Sequence, residues 1–246
     1  MQLTCLHLSL AALFLASCNT LPHQDESPAR AQDPGASSLE KEERSRKTFR
    51  VEGFHRNVEI EEVEFDDPGF AETTLTDERR VRTGVQVSYG HESLRGFVEV
   101  FHEDFLGSGD GYGFTFGVKG QPRLHALDNG AMLILPYSAG GTLASGGDIE
   151  VEGSKGDLGY AEAALDAGIG IDYRGLQSSV GFSSKALVGY VDSDADPDSD
   201  NEDLDASFAS GYVELAYRPS GTAFEARLRG LAGQEQGAYI SLSYGF

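Results

Sequence analysis

The chain has 246 residues with a formal net charge of −21, no tryptophan and only two cysteines, Cys5 and Cys18. This length allows one β domain or two smaller ones. The excess of negative charge argues against nucleic acid as a partner, because contacts to phosphates need Lys and Arg. Since both cysteines lie in the first eighteen residues, the body of the protein has no disulfide.

The N-terminal stretch "CLHLSLAALFLASC" predicts an export signal, because its apolar run is too short to span a bilayer as a helix. It ends in Leu15-Ala16-Ser17-Cys18, which resembles the lipobox of bacterial lipoproteins. The resemblance implies a signal peptide over residues 1–17 and lipidation of Cys18. An ordinary export signal with an incidental cysteine is the alternative. Residues 18–47, rich in Pro, Ser, Ala and mixed charge, are typical of a disordered tether.

From Phe49 onward, apolar residues recur with a period of two, and no stretch shows a helical stripe. The predicted strands are 80–90, 95–102, 111–119, 131–137, 159–173, 176–190, 207–218, 222–230 and 238–246. The strands at 159–173 and 176–190 are long enough to cross a membrane while tilted. The strand at 131–137 is apolar on both faces and contains Pro136, so its facing stays open.

The two faces of these strands differ in charge. One face carries no charged residue, and the other, wherever the apolar face is clear, holds six basic and five acidic residues. In a chain this acidic, such a balance indicates an interior where charges pair, because unpaired buried charges are costly. A soluble β-sandwich would point its apolar face inward, whereas tyrosines at strand ends favour an apolar face that meets lipid. The residues of the charged face are Arg82, Lys119, Glu162, Asp166, Asp172, Lys185, Glu214, Arg218, Glu225, Arg227 and Arg229.

The terminal stretch "AYISLSYGF" has apolar residues at alternate positions and ends in an aromatic ring. With its alternating segments and its short and long connections in turn, the chain resembles the small bacterial outer-membrane β-barrels of 8–10 strands. The resemblance implies an all-β, antiparallel up-and-down transmembrane β-barrel over residues 48–246, surrounded by outer-membrane lipid and lipopolysaccharide. It also implies a tether in the periplasm and a terminal signal for the barrel-assembly machinery. That signal is carried by Ile240, Leu242, Tyr244 and Phe246.

The number of strands determines on which side of the membrane the N-terminus lies. The nine strands above are an odd number, so an even-numbered barrel needs a tenth strand. The candidate is "NVEIEEVEF", residues 57–65. A β-bulge at Glu61-Glu62 would put its apolar residues on one face and send Glu59 and Glu64 inward. Alternatively, the Asn-Gly turn signal in "ALDNGAML" makes the fourth strand a hairpin. We predict eight to ten strands and prefer ten. The apolar residues of the candidate are Val58, Ile60, Val63 and Phe65.

The acidic connection "VDSDADPDSDNEDLD" is the first candidate site. Oxygen ligands at alternate positions suit hard cations, so the hypothesis is weak binding of Ca²⁺. A solvated acidic loop is the alternative, because the Gly and closing Glu of an EF-hand are missing. No other cofactor is predicted. The candidate ligands are Asp192, Asp194, Asp196, Asp198, Asp200, Asp203 and Asp205.

Two further sets of side chains allow a chemical interpretation. His102, followed by Glu103 and Asp104, forms a conceivable dyad near the outer rim, with an ordinary rim histidine as the alternative. No histidine or cysteine spacing typical of a metal site occurs. The inward charges predict a packing network rather than a catalytic one. Its members are Glu162, Asp166, Lys185, Glu214, Arg218, Glu225, Arg227 and Arg229.

The preferred functional prediction is a non-enzymatic outer-membrane barrel with a charge-paired, plugged lumen. Barrels near eight strands fill with side chains, while wider ones leave a channel. Such a protein would serve envelope structure or surface contacts. The alternatives are a narrow pore for small solutes, a surface hydrolase, and a soluble periplasmic barrel with the opposite facing.

Overall fold

A computed structural model describes residues 47–66, 73–106, 110–151, 154–193 and 202–246. These residues form β-strands joined by turns, and none of their segments is a helix long and apolar enough to cross a membrane. The strands are β1 (Thr48–Asp66), β2 (Thr73–His91), β3 (Leu94–Phe105), β4 (Gly111–Gly120), β5 (Arg123–Ala126), β6 (Met132–Ile134), β7 (Tyr137–Val151), β8 (Ser154–Tyr173), β9 (Leu176–Ser193), β10 (Glu202–Tyr217), β11 (Phe224–Gly233) and β12 (Glu235–Gly245).

The strands form one closed antiparallel barrel. Neighbours in the chain pair with each other, and β1 pairs with β12 from Arg50↔Gly245 to Ile60↔Glu235, which closes the wall. The barrel has ten wall strands, because β5 and β6 extend β4 and β7. The predicted fold class and the preferred strand number are therefore confirmed. Closure matters physically because it leaves no sheet edge with unpaired backbone groups in lipid.

Two prolines interrupt the hairpin that β4 and β7 form. The pairing Gly120↔Tyr137 continues as Arg123↔Ile134 on the far side of Pro122 and Pro136, which have no N–H to donate. The hairpin ends at a turn where Gly130 has a φ of 82° and the side chain of Asn129 accepts a hydrogen bond from Ala131 N–H at 3.0 Å.

This geometry corrects the predicted fourth strand. The prediction ended it at residue 137, whereas the same wall strand continues as β7 to Val151. The glycine-rich sequence "YSAGGTLASGGDIEV" carries too weak an apolar alternation to reveal it. The Asn-Gly hairpin exists, but its two arms prolong neighbouring wall strands and add none of their own.

The two ends of the barrel differ. One end, called the terminal end below, holds Thr48, Phe246 and tight turns such as Arg174-Gly175, where both residues have positive φ. At the opposite end, called the loop end, β11 and β12 are joined at Gln234, well short of their neighbours. Beyond that turn, β1 pairs directly with β10, as in Glu64↔Asp205.

Over most of the wall, apolar side chains face outward and charged side chains face the lumen. Val180, Phe182, Leu215 and Leu228 are each about half exposed on the outer surface, at 52%, 52%, 48% and 49%. The inward charges on the same strands are largely buried. Exposed tyrosines lie toward both ends of this apolar surface, as in membrane barrels. Tyr89, Tyr173, Tyr217 and Tyr244 lie toward the terminal end, and Tyr112 and Tyr190 lie toward the loop end.

Near the loop end, the distribution of side chains is reversed, so that apolar side chains face the lumen and polar side chains face outward. Leu204 and Leu158 are fully buried in the lumen, while their chain neighbours Asp205 and Asp157 are exposed on the outside. The wall there follows the rule of soluble barrels, with apolar side chains inside and polar ones outside. The resulting apolar cluster comprises Ile60, Phe105, Leu106, Leu158, Tyr160, Leu187, Leu204, Ala206 and Phe208.

Because of this reversal, the predicted orientation of the β1 side chains is wrong. Val58 and Ile60 are buried in the lumen and Glu59 is exposed outside, the reverse of the prediction. The pairing of β1 with β2 keeps one register from Thr48↔Gly90 to Phe65↔Thr73, so no β-bulge shifts it. The prediction failed because it assumed that apolar side chains face lipid along the whole strand. The side chains of Val63, Glu64 and Phe65 lie outside the described part.

Candidate functional site: the lumen

A compact ionic cluster lies directly beneath the apolar cluster. Arg80 donates through Nε to Glu103 and through Nη1 to Glu162, both at 2.5 Å. Arg82 donates to the same two carboxylates at 2.5 and 3.3 Å. Tyr160 accepts from both arginines and donates to Glu103. All five side chains are buried, so their charges balance without the help of water.

A second cluster joins β8, β10 and β11 across the lumen. Arg229 donates to Glu214 at 2.8 Å and to Asp166 at 2.9 Å. Arg227 contacts the other oxygen of Glu214 at 3.2 Å and donates to Glu225 at 2.8 Å. Glu214 and Arg229 lie opposite each other on paired strands, whereas Asp166 lies on β8, so the network also links strands that do not pair.

At the terminal end, several arginines share few carboxylates. Glu225 accepts from Arg50 at 3.0 Å and from Arg218 at 2.5 Å, in addition to its bond with Arg227. Glu92 lies 3.6 Å from Arg218 at their closest charged atoms. This end of the lumen is consequently the more basic one.

In the described residues, ten basic and ten acidic side chains form the ion pairs of the barrel interior. All eight members of the predicted network belong to this set. The basic members are Arg50, Arg56, Arg80, Arg82, Lys119, Arg123, Lys185, Arg218, Arg227 and Arg229. The acidic members are Glu52, Glu92, Glu99, Glu103, Glu162, Asp166, Asp172, Glu214, Glu225 and Glu235.

Sequence reasoning missed about half of these residues. Arg80 and Glu103 share the parity of inward neighbours on β2 and β3, so extending the period of two by one step would have found them. Glu52 and Arg56 were missed because the predicted first strand began at residue 57, whereas β1 begins at Thr48. Glu52 accepts from Lys119 at 2.9 Å and from Tyr239 at 2.5 Å.

The lumen is filled closely where glycines face it. The Tyr212 ring lies against Gly168 and Gly181, and a Cβ at either position would come within 2.3 Å or 2.6 Å of a Tyr212 atom. The small residues at these two lumen-facing positions thus have a direct steric reason. The guanidinium of Arg229 lies over the same ring, 4.3 Å from its centroid.

A cavity of about 180 Å³ remains between these clusters. Charged side chains dominate its lining, and it extends to the terminal end, where Glu92, Gln121 and Pro136 border it. Toward the loop end it reaches Arg82 and Glu162 and stops below the apolar cluster. The space is large enough for a few water molecules or one small ion.

The remaining predicted site residues lie elsewhere. His102 is exposed on the outer surface with its ring 5.1 Å from that of Tyr112, whereas Glu103 points into the lumen, so these two neighbours do not meet. Asp104 shares the outer face with His102. Along the terminal strand, Ile240, Leu242, Tyr244 and Phe246 are all exposed on the outer face.

Two predictions fall wholly or mostly outside the described residues. Cys18 does so, as do the acidic residues Asp194, Asp196, Asp198 and Asp200 and the side chains of Asp192 and Asp203. Asp205 is described and is exposed on the outer face of β10. Within the described ranges, no three His, Cys, Asp or Glu side chains are grouped so that they could hold a metal ion.

A closed antiparallel wall with an apolar outer surface, aromatic side chains toward both ends and ion pairs inside defines the architecture. The chain has the fold of a bacterial outer-membrane β-barrel. No family profile and no curated protein sequence matches it.

Among solved structures, the chain is similar to the translocator domain of autotransporter NalP from Neisseria meningitidis. The identity is 11% and the TM-score 0.41, with 100% of this chain and 98% of that chain covered. For the KdgM porin, the identity is 9%, the TM-score 0.32 and the coverage 80% and 99%. For the outer membrane protease OmpT from Escherichia coli, the values are 9%, 0.29, 81% and 96%. At these identities and scores, no role passes from those proteins to this chain.

Proposed function

We propose that this protein is a non-enzymatic outer-membrane barrel whose closed lumen does not conduct, and that it serves envelope structure or contacts at the cell surface. The observation that carries the proposal is the apolar cluster across the loop end of the lumen. Its members Ile60, Phe105, Leu158, Leu187 and Leu204 are each at most 1% exposed. A constriction packed by apolar side chains offers neither water nor ions a path.

The ionic cluster beneath it adds a second barrier. Arg80, Arg82, Glu103 and Glu162 hold one another through charge-assisted hydrogen bonds, which are among the stronger polar contacts in proteins. A hydrated ion would have to break these bonds to pass. The two layers together support a plug built from the wall itself.

The proposed location is the bacterial outer membrane, with the terminal end in the periplasm. Thr48 and Phe246 lie at the same end as the tight turns, and short turns face the periplasm in such barrels. A lipidated Cys18 would then anchor the 18–47 tether from the periplasmic side.

The proposed surroundings follow from the same orientation. Outer-membrane lipid would cover the apolar outer surface. The acidic 191–205 connection would face outside, where bound Ca²⁺ would bridge it to lipopolysaccharide. The exposed apolar residues of β12 would be read by the barrel-assembly machinery, starting from Phe246.

A narrow pore is the second candidate, and the cavity at the terminal end supports it, because charged side chains already line part of a path. A surface hydrolase has less support. His102 is exposed near the loop end, but its neighbour Glu103 is engaged with Arg80 and Arg82 on the other face.

Single-channel recording in planar bilayers tests the proposal. The refolded protein should give no stable openings, whereas the double variant Phe105→Ala/Leu204→Ala, which thins the apolar cluster, should give brief ones. Heat-modifiable gel migration must first show that both proteins are folded. Stable openings of the unaltered protein would contradict the proposed closed lumen and favour the narrow pore.

A further inference from the structure

Arg95 is the exception to the pairing of charges inside the barrel. It lies on β3 near the terminal end, its side chain points into the cavity and it is 9% exposed. Among the described residues it has neither a hydrogen-bonded partner nor a carboxylate within 4.0 Å, while every other arginine and lysine of the lumen has one. A buried guanidinium that no carboxylate contacts directly is costly.

Its neighbours make the imbalance larger. Arg95 interacts electrostatically with Arg50 and Arg218 as well as with Glu92 and Glu225. Glu225 is already shared by Arg50, Arg218 and Arg227. The Nε atom of Arg50 is buried and has no acceptor, and one carboxylate oxygen of Glu92 is buried and accepts no hydrogen bond. Three arginines, Arg50, Arg95 and Arg218, therefore surround two carboxylates, Glu92 and Glu225, where the cavity meets the terminal end.

We infer that Arg95, with Arg50 and Arg218, forms a binding site for a small oxyanion, of the class of phosphate or a phosphate monoester, that enters from the terminal end. Arginine presents a planar fork of donors that matches phosphate oxygens. The cavity of about 180 Å³ leaves room for such an ion. The site requires entry from one side only, so it does not depend on whether the lumen conducts.

Isothermal titration with inorganic phosphate tests the inference on the full chain folded in detergent, with NaCl holding the ionic strength constant. The unaltered protein should bind one phosphate saturably. Arg95→Gln should weaken binding at least ten-fold, and Arg95→Lys should weaken it less, because it keeps the charge without the fork. Arg79→Gln, at an exposed arginine near the loop end, is the matched control and should leave the affinity unchanged.

A second measurement separates binding from folding. Phosphate should raise the urea midpoint of the unaltered protein and of Arg79→Gln but not that of Arg95→Gln, since a ligand stabilises only the state that binds it. Equal affinity in Arg95→Gln, or absence of saturable binding in the unaltered protein, would overturn the assignment. Binding of an anionic phospholipid in place of inorganic phosphate would also overturn it, because the site lies inside the wall.

Discussion

Asp205 and Leu215 lie on the same outer face of β10, where the exposed side chain is charged toward the loop end and apolar toward the middle of the wall. Between them the lumen changes in the opposite sense, from the buried Leu204 to the ion-paired Glu214. The boundary between lipid and water can therefore be placed along this strand. It separates a membrane section from a section built like a soluble barrel.

A charge scan along β10 should locate that boundary. Val213→Arg, in the middle of the apolar stretch, should cost about 2–4 kcal/mol of unfolding free energy in lipid vesicles. Ser207→Arg, on the same face nearer the loop end, should cost about 0–1 kcal/mol. Urea titrations in vesicles measure both values. Equal costs at the two positions would contradict the boundary.

Leucines on the two sides of the wall should respond differently to truncation. Leu187→Ala removes a fully buried side chain of the apolar cluster and should cost about 3–4 kcal/mol, because a cavity remains. Leu215→Ala should cost about 2 kcal/mol, because lipid chains fill the space and only the transfer term is lost. Unfolding of both variants in vesicles measures the difference. A larger loss at Leu215 would speak against the plug.

The shared carboxylate of Glu103 should be strongly stabilising. Glu103→Gln leaves Arg80 and Arg82 with one charged partner of this cluster, Glu162, beside the Tyr160 hydroxyl, and breaking such a buried network should cost about 3–5 kcal/mol. Glu59→Gln removes an exposed carboxylate of β1 and should change stability by less than about 0.5 kcal/mol. Urea midpoints at neutral pH compare the two. A cost below about 1 kcal/mol for Glu103→Gln would show that the network is relaxed by water.

Two glycines of the β11–β12 hairpin should tolerate alanine unequally. Gly237 has a φ of 149°, and a Cβ there would come within 2.2 Å of the Asn57 carbonyl oxygen. Gly237→Ala should therefore cost about 1–3 kcal/mol. A Cβ added at Gly230 would have no atom within 4 Å, so Gly230→Ala should be neutral or slightly stabilising. Thermal unfolding in detergent checks the order, and the reverse order would contradict the hairpin geometry.

The terminal aromatic should matter more for assembly than for the finished barrel. The Phe246 ring lies 5.9 Å from Phe49 and 5.0 Å from Tyr244, on the outer face. Phe246→Ala should slow folding by reconstituted assembly machinery several-fold while leaving the urea midpoint nearly unchanged. Phe224→Ala, at the same end on β11, is the control. If Phe224→Ala slowed folding as much as Phe246→Ala, the terminal residue would have no special role in assembly. Heat-modifiable migration follows the folded fraction.

Much of the fold could be predicted because the local sequence alone determines on which side of a strand each residue lies. Alternation at Leu176–Tyr190 and at Ala238–Phe246 identified the outer face directly, and the charge balance of the other face indicated ion pairs. The glycine-rich β7 escaped detection because small residues carry no apolar signal. The orientation of the β1 side chains was predicted wrongly because, in the half of β1 near the loop end, apolar side chains face the lumen and polar side chains face outward.

The chain order of apolar and polar residues was sufficient for the architecture, for a range of eight to ten strands with the observed ten preferred, and, except on β1, for the side of the wall on which charges lie. The tertiary structure alone decided which charges meet: Arg229 pairs with Asp166 and Glu214, whereas no carboxylate of the described residues lies within 4.0 Å of Arg95. It also decided where the facing inverts. The reason is that these features depend on strand register and on distances across a closed barrel, which bring together residues far apart in the chain.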